Sequence, residues 1–208
     1  VTLTTGTLII ISAPSGAGKT TLVKALTAEQ PWLTVSVSHT TRPPRPGDVD
    51  GIDYHFVSKA HFQELIEAGE MLEYAEIFGN WYGTSKGAIE ACLQADQGVI
   101  LEIDWQGAQQ VRRLFSQAVS VFILPPSRQA LLQRLQARGL DSESIIAQRF
   151  AEARQEMQHH SEYDYLLIND DFTQALAELR AIAVASRLHT ERQRQRHQSL
   201  LSALLAVA

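Results

Sequence analysis

Short aliphatic and β-branched runs alternate along the chain with longer stretches whose apolar positions recur every three or four residues. Wholly apolar runs of this length mark strands buried on both faces, and the three-to-four spacing marks amphipathic helices. The pattern predicts strands over residues 7–12, 99–104, 119–124 and 165–169. It predicts helices over 19–29 (stopped by Gln30-Pro31), 106–115, 127–137, and from 172 onward. Strands alternating with helices imply an α/β fold, a parallel sheet covered by helices in a three-layer core. Ser127, after Pro125-Pro126 and ahead of Leu131, Leu132 and Leu135, is placed to cap its helix.

Two stretches break this rhythm. Residues 38–86 hold Pro43, Pro44 and Pro46, then strand-like runs at 53–57 and 71–78, with Gly79-Asn80 as a turn before Trp81-Tyr82. They read as a small α+β lobe grafted onto the core. Residues 138–160 open with Arg138-Gly139-Leu140-Asp141 and carry Arg149 and Arg154 on a helical pattern, as a movable flap would. The core is expected over 1–37, 87–125 and 161–208, the lobe over 38–86, and a helical lid region over 126–160. The Arg- and Gln-rich segment 187–197 reads as a solvated C-terminal helix.

Composition narrows the class. At 208 residues, 45% hydrophobic and 20% charged, the chain suits one core domain with inserts and is not disordered by composition. Eighteen Lys and Arg against 23 Asp and Glu give a net charge of −5, which excludes a protein whose whole surface coats nucleic acid. A local anion site is still open. Cys92 is the single cysteine, so no intrachain disulfide forms and a reducing, cytoplasmic setting is expected. Leu8-Ile9-Ile10-Ile11 is too short to span a bilayer, and no basic segment precedes it as a signal peptide requires. No membrane attachment is expected, and self-association into a homo-oligomer is left open.

The chemistry begins at Ala13-Pro14-Ser15-Gly16-Ala17-Gly18-Lys19-Thr20, with Thr21 after it, between the first strand and the first helix. A glycine-rich turn there wraps phosphates in backbone N–H groups at the positive end of a helix dipole. Lys19 is spaced to reach the β- and γ-phosphates, and the Thr20 hydroxyl to ligate Mg²⁺. Ala13 stands where the usual pattern has its first glycine. The motif marks a nucleoside triphosphate site and says little about what is done there.

Further motifs follow in order: Ser38-His39-Thr40-Thr41-Arg42-Pro43-Pro44-Arg45-Pro46-Gly47-Asp48, Gly51-Ile52-Asp53-Tyr54, Glu73-Tyr74-Ala75, Gly79-Asn80-Trp81-Tyr82-Gly83-Thr84 and Ile103-Asp104-Trp105-Gln106-Gly107. After a P-loop, this set resembles guanylate kinase of the bacterial type, nearly end to end. The resemblance implies a P-loop NTPase-type core, a GMP-binding lobe and a lid closing over ATP, with Mg²⁺ and no tightly bound organic cofactor. It implies γ-phosphoryl transfer from ATP to GMP, and to dGMP as well. Independently, two guanidinium forks (Arg42, Arg45) and a phenol (Tyr54) in a proline-stiffened loop suit a phosphate monoester. The resemblance adds Tyr82 to that group. A solvated basic loop balanced by Asp48, Asp50 and Asp53 is the bland alternative.

Glu73 is the candidate base reader, because one carboxylate accepts both N1–H and N2–H₂ of guanine and faces an unpaired acceptor on adenine. The resemblance adds Ser38, Thr84 and Asp104 to the base contacts. Glu102 and Asp104 alternate at a strand end, so both point to one face. Glu102 stands where the family usually has aspartate, and it is expected to reach Mg²⁺ through water. Arg138 and Arg149, with Arg134, match the family's lid arginines, which neutralise the phosphoryl group in flight. Surface pairing with Glu143, Glu152 and Glu156 is their bland reading. Asn169 is placed by the resemblance near the adenine, while Asn169-Asp170-Asp171 reads equally as a strand end turning into an Asp-capped helix. His159-His160 does not form a metal pair, since adjacent helical residues face apart. A kinase-like binding scaffold and a P-loop kinase acting on AMP are the competing functional classes.

Overall fold

The first apolar run forms β1 (Leu8–Ser12), buried along its length, and its central place in a sheet explains why it has no polar face. The computed structural model describes residues 6–77, 79–137 and 143–206. After β1 come α1 (Lys19–Glu29), β2 (Leu33–Val35), β3 (His39–Thr40), β4 (His55–Phe56), α2 (Lys59–Glu67), β5 (Met71–Ile77) and β6 (Asn80–Ser85). Then follow α3 (Lys86–Gln94), β7 (Gly98–Glu102), α4 (Trp105–Leu114), β8 (Val119–Leu124), α5 (Arg128–Ala137) and α6 (Glu143–Gln158). A 3₁₀ turn, His159–Glu162, leads into β9 (Tyr165–Ile168), α7 (Phe172–Arg187), α8 (Thr190–Arg196) and α9 (Gln198–Leu205).

Five strands make a parallel sheet in the order β2-β7-β1-β8-β9, with Ile10 opposite Leu101 on one side and Ser120 on the other. Alternate residues of β1 face opposite layers. Ile9 and Ile11 pack with Leu22 and Leu26 of α1 and Leu179 of α7. Leu8 and Ile10 pack with Ile89 and Leu93 of α3 and Val111 of α4. Each such side chain, fully buried, contributes about 1.5–3 kcal/mol. This is the three-layer α/β core that the alternation implied, and it sets the C-terminal ends of β1 and β7 side by side. Ser12 at the end of β1 donates to the Ile103 carbonyl at 2.7 Å.

The second sheet runs β4-β3-β6-β5, antiparallel except for the β3–β4 pair. Helix α2 packs against it through buried Phe62, which lies 6.0 Å from the Trp81 ring. A third apolar cluster joins α5 to α6 through Leu131, Leu135 and Ala153, with Ile146, Phe150 and Met157 around them. The Ser127 cap is present, its hydroxyl accepting the Ala130 N–H at 3.0 Å.

The structure adds α2 and β3 to the predicted elements, ends β7 two residues early, and differs from the sequence pattern in three further places. The run at 53–57 forms a strand only over His55–Phe56, with Tyr54 bridging singly to Asp50, because Asp53 and Asp50 accept the backbone N–H groups of Val49 and Phe56 and hold the approach as a turn. Strand β2 was not anticipated; at three residues it has no readable period. The segment 187–197 is not simply a solvated helix. Arg192 is 5% exposed and donates to the carbonyls of Gln117, Ser186 and Gly6, while Arg196 pairs with Asp96 at 2.6 Å.

Candidate functional site

The turn from β1 into α1 is held open by glycine and braced from behind. Gly18 caps α1 at φ +94°, a conformation side chains resist, and an added Cβ would lie 2.3 Å from the Asn169 Nδ2. That Nδ2 donates to the Ala17 carbonyl at 2.7 Å, and Arg134 donates to the Asn169 carbonyl at 2.9 Å. Both residues therefore sit against the back of the loop, outside the cavity its front face lines. The first turn of α1 has no acidic residue, which leaves its positive end available to an anion. Ala13 keeps an ordinary φ and packs its methyl against the core, so the missing glycine is accommodated.

Ala13, Pro14, Ser15, Gly16, Gly18, Lys19, Thr20 and Thr21 border a cavity of about 470 Å³, a volume normal for small-molecule sites. Thr20 donates its hydroxyl to Glu102 Oε2 at 3.1 Å. Across the cavity stand Ser38, Arg42, Arg45, Tyr54, Glu73 and Tyr82. The Arg42 guanidinium bonds Asp48 at 2.9 Å and the Pro43 carbonyl at 2.8 Å, and lies 5.4 Å from the centre of the Tyr54 ring. Tyr82 meets Tyr54 edge-on at 5.9 Å. A backbone N–H from Arg45, then Arg42 itself, hold the Asp48 carboxyl below the usual range. Of the three acids in the bland reading, Asp48 is thus the one that pairs with an arginine, and the other two tie backbone.

Glu73 on β5 stands opposite Thr84 on β6 and is 3% exposed. Thr84 donates to Glu73 Oε1 at 2.6 Å, and its hydroxyl lies 3.4 Å from that of Ser38. Since the Thr84 proton is committed to the carboxylate, Ser38 is the donor in the second link. Burial pushes the Glu73 carboxyl up to about 7. Asp104 caps α4, accepting from Gly107 N–H at 2.9 Å and from Gln106 Nε2 at 3.1 Å, and it also borders the cavity.

Helix α6 closes the remaining side with Ile145, Gln148, Arg149 and Glu156. Arg138 lies outside the described residues. Glu156 is the charged cavity residue that sequence reasoning missed, having been grouped with surface charge. Burial pushes its carboxyl up to about 7 despite Lys19, with Asp104 adding to the rise and a Ser15 backbone N–H opposing it. Its i, i+7 spacing from Arg149 was the available signal, since that spacing puts both on one helix face. His159 stacks on Trp105 at 3.7 Å and bonds Glu162 at 2.6 Å, while His160 Nδ1 meets the Met157 carbonyl. Among the described residues no three His, Cys, Asp or Glu side chains gather as a metal cage.

Comparison with known proteins gives one answer. The family model for guanylate kinase matches residues 5–186. A guanylate kinase of Pseudomonas fluorescens (strain Pf-5) is 58% identical over 99% of this chain and 100% of its own length. One from Vibrio cholerae is 55% identical over 97% of this chain and 98% of its own. The crystal structure of guanylate kinase from Anaplasma phagocytophilum superposes with a TM-score of 0.81 at 30% identity, over 99% of this chain and 98% of that one. The SH3-kinase fragment of tight junction protein 3 shares the fold alone, with a TM-score of 0.50 and 13% identity over 87% of this chain and 57% of that one.

Proposed function

The chain belongs to the guanylate kinase family of nucleoside monophosphate kinases, and on that premise we propose how its residues move the γ-phosphoryl group of ATP to GMP, giving ADP and GDP. One cavity carries the reading: a phosphate loop borders it on one side and a buried carboxylate, Glu73, on the other. The P-loop N–H groups and Lys19 take the donor phosphates. Arg42, Arg45, Tyr54 and Tyr82 take the acceptor phosphate, with Arg42 exchanging Asp48 for a dianion that offers more acceptor oxygens. Glu73 receives guanine N1–H and N2–H₂, and Ser38, Thr84 and Asp104 complete the base contacts.

No general base is assigned, because the GMP phosphate, with a second pKa of about 6, is largely a dianion at neutral pH. Catalysis is alignment and neutralisation. Arg149, with Arg138, meets the charge on the group in flight, and α6 covers the cavity against water. The Thr20 hydroxyl and, through water, Glu102 supply hard oxygen donors that suit Mg²⁺ beside triphosphate oxygens. When bound, the ion draws charge from the β- and γ-phosphates. We place the reaction in the cytoplasm, on its substrates and the single thiol Cys92. We propose dGMP as a second acceptor, because it presents the same phosphate and the same guanine edge to these residues.

The test is ADP formation from ATP with GMP, dGMP, AMP, CMP or UMP as acceptor. Turnover is expected with GMP and dGMP, AMP should be poorer by about 10⁴ in kcat/KM, and Lys19→Ala should abolish turnover. Absence of GMP-dependent ADP formation overturns the reading.

A further inference from the structure

Gly107 occupies the third position of α4, and glycine is the poorest helix former after proline. Its φ is not positive, so the backbone itself would admit alanine. The obstacle is space: an added Cβ would lie 2.4 Å from Glu73 Oε2 and 3.1 Å from Glu73 Cδ. The carboxylate is already anchored on its other oxygen by Thr84 at 2.6 Å. Strand β5 cannot drift away to make room, because Gln110, nearly one turn on along α4, grips the next residue. Its Oε1 accepts the Tyr74 N–H at 3.2 Å, and its Nε2 donates to the Tyr74 carbonyl at 2.8 Å. Helix and strand backbones are fixed, so the one part free to yield to a methyl group is the end of the Glu73 side chain.

We infer that Gly107 is a specificity-positioning residue: its missing side chain leaves the space that sets the Glu73 carboxylate at the guanine edge, and Gln110 fixes the strand that carries it. This rests on Glu73 reading the base. A substituent at Gly107 then disturbs GMP recognition while the P-loop, whose contacts lie on other elements, keeps its grip on ATP.

The experiment is steady-state kinetics on Gly107→Ala, Glu73→Asp, the double variant and Glu73→Gln, with thermal melts of each. G107A is expected to melt at or above wild type, since alanine favours the helix. Its KM for GMP should rise at least tenfold, with KM for ATP within twofold and AMP discrimination reduced. Glu73→Asp draws the carboxylate back by one methylene, so adding G107A to it should cost less than twofold further. An unchanged KM for GMP in G107A, or a full tenfold loss repeated in the Glu73→Asp background, overturns the inference alone. An unchanged KM for GMP in Glu73→Gln overturns the reading of Glu73 and the inference with it. Should G107A fail to fold, Gln110→Ala carries the test. It adds no bulk and loosens β5, so KM for GMP should rise at least threefold with KM for ATP unchanged, and no rise overturns the seat.

Discussion

Glu73 and Glu156 are carboxyls that burial pushes from an ordinary 4.5 up to about 7, and both border the cavity, where the Lys19 charge offsets only part of the burial. A raised folded-state value means the folded protein holds protons that the unfolded chain has released. The stability this contributes is complete below about pH 4.5 and is lost as pH rises through 7. Each group therefore opposes folding at pH 8 by on the order of 3 kcal/mol at most. Glu73→Gln, which keeps the shape without the charge, should stabilise the nucleotide-free protein at pH 8 by about 1–3 kcal/mol and have little effect at pH 5. In denaturant melts, parallel pH profiles for variant and wild type would refute this. The same variant should lose GMP, because guanine's two donors need the ionised acceptor. For wild type, KM for GMP should climb as pH falls below about 7. On the proposed reading, the residue that costs stability is the one that reads the base.

Among elements, the P-loop depends on partners far away in the chain. Asn169 at the end of β9 supplies the hydrogen bond to Ala17, and Arg134 on α5 bonds Asn169 in turn. Asn169→Ala leaves the Ala17 carbonyl only its long 3.5 Å bond from Arg134, a loss of about 1 kcal/mol, and it should raise KM for ATP several-fold while leaving KM for GMP alone. Brace and base contact separate on a second donor. If Asn169 only braces the loop, ATP and GTP weaken alike as phosphoryl donors; if it touches adenine, their ratio changes. Elements with a long, clean period were readable from the sequence: β1, β8, β9, α1, α4 and α5 fall within about a residue of the pattern, whereas β7 ends two residues early because Asp104 leaves the strand to cap α4. The P-loop stands out by its spacing, and Arg42, Glu73 and Glu102 by the resemblance of the motifs around them; all of them border one cavity. What stayed hidden was whatever depends on contacts across the chain. Two- and three-residue strands have no period, Arg192 is buried by carbonyls from three other segments, and Glu156 becomes a cavity residue only once α6 packs on α5.

Across the whole molecule, a net charge of −5 hides a sorted arrangement about one cavity. Cations (Lys19, Arg42, Arg45, Arg149) and acids (Glu73, Glu102, Asp104, Glu156) all border it. Two substrates with several negative charges must meet there, so the cations have to act where those charges converge. Arg149 is carried on α6, whose apolar face (Ile146, Phe150, Ala153, Met157) rests on α5, so its position is set by helix packing and not by a loop. A group that neutralises charge developed only in the transition state changes kcat more than substrate affinity. Arg149→Ala should therefore lower kcat by about 10²–10³, the equivalent of roughly 3–4 kcal/mol, with both KM values within about threefold. Arg149→Lys restores the charge without the planar fork and should recover only part of the loss. If the loss instead appeared wholly as a raised KM for ATP with kcat intact, Arg149 would be a ground-state clamp on ATP, and neutralisation of the moving group would fall to other cations.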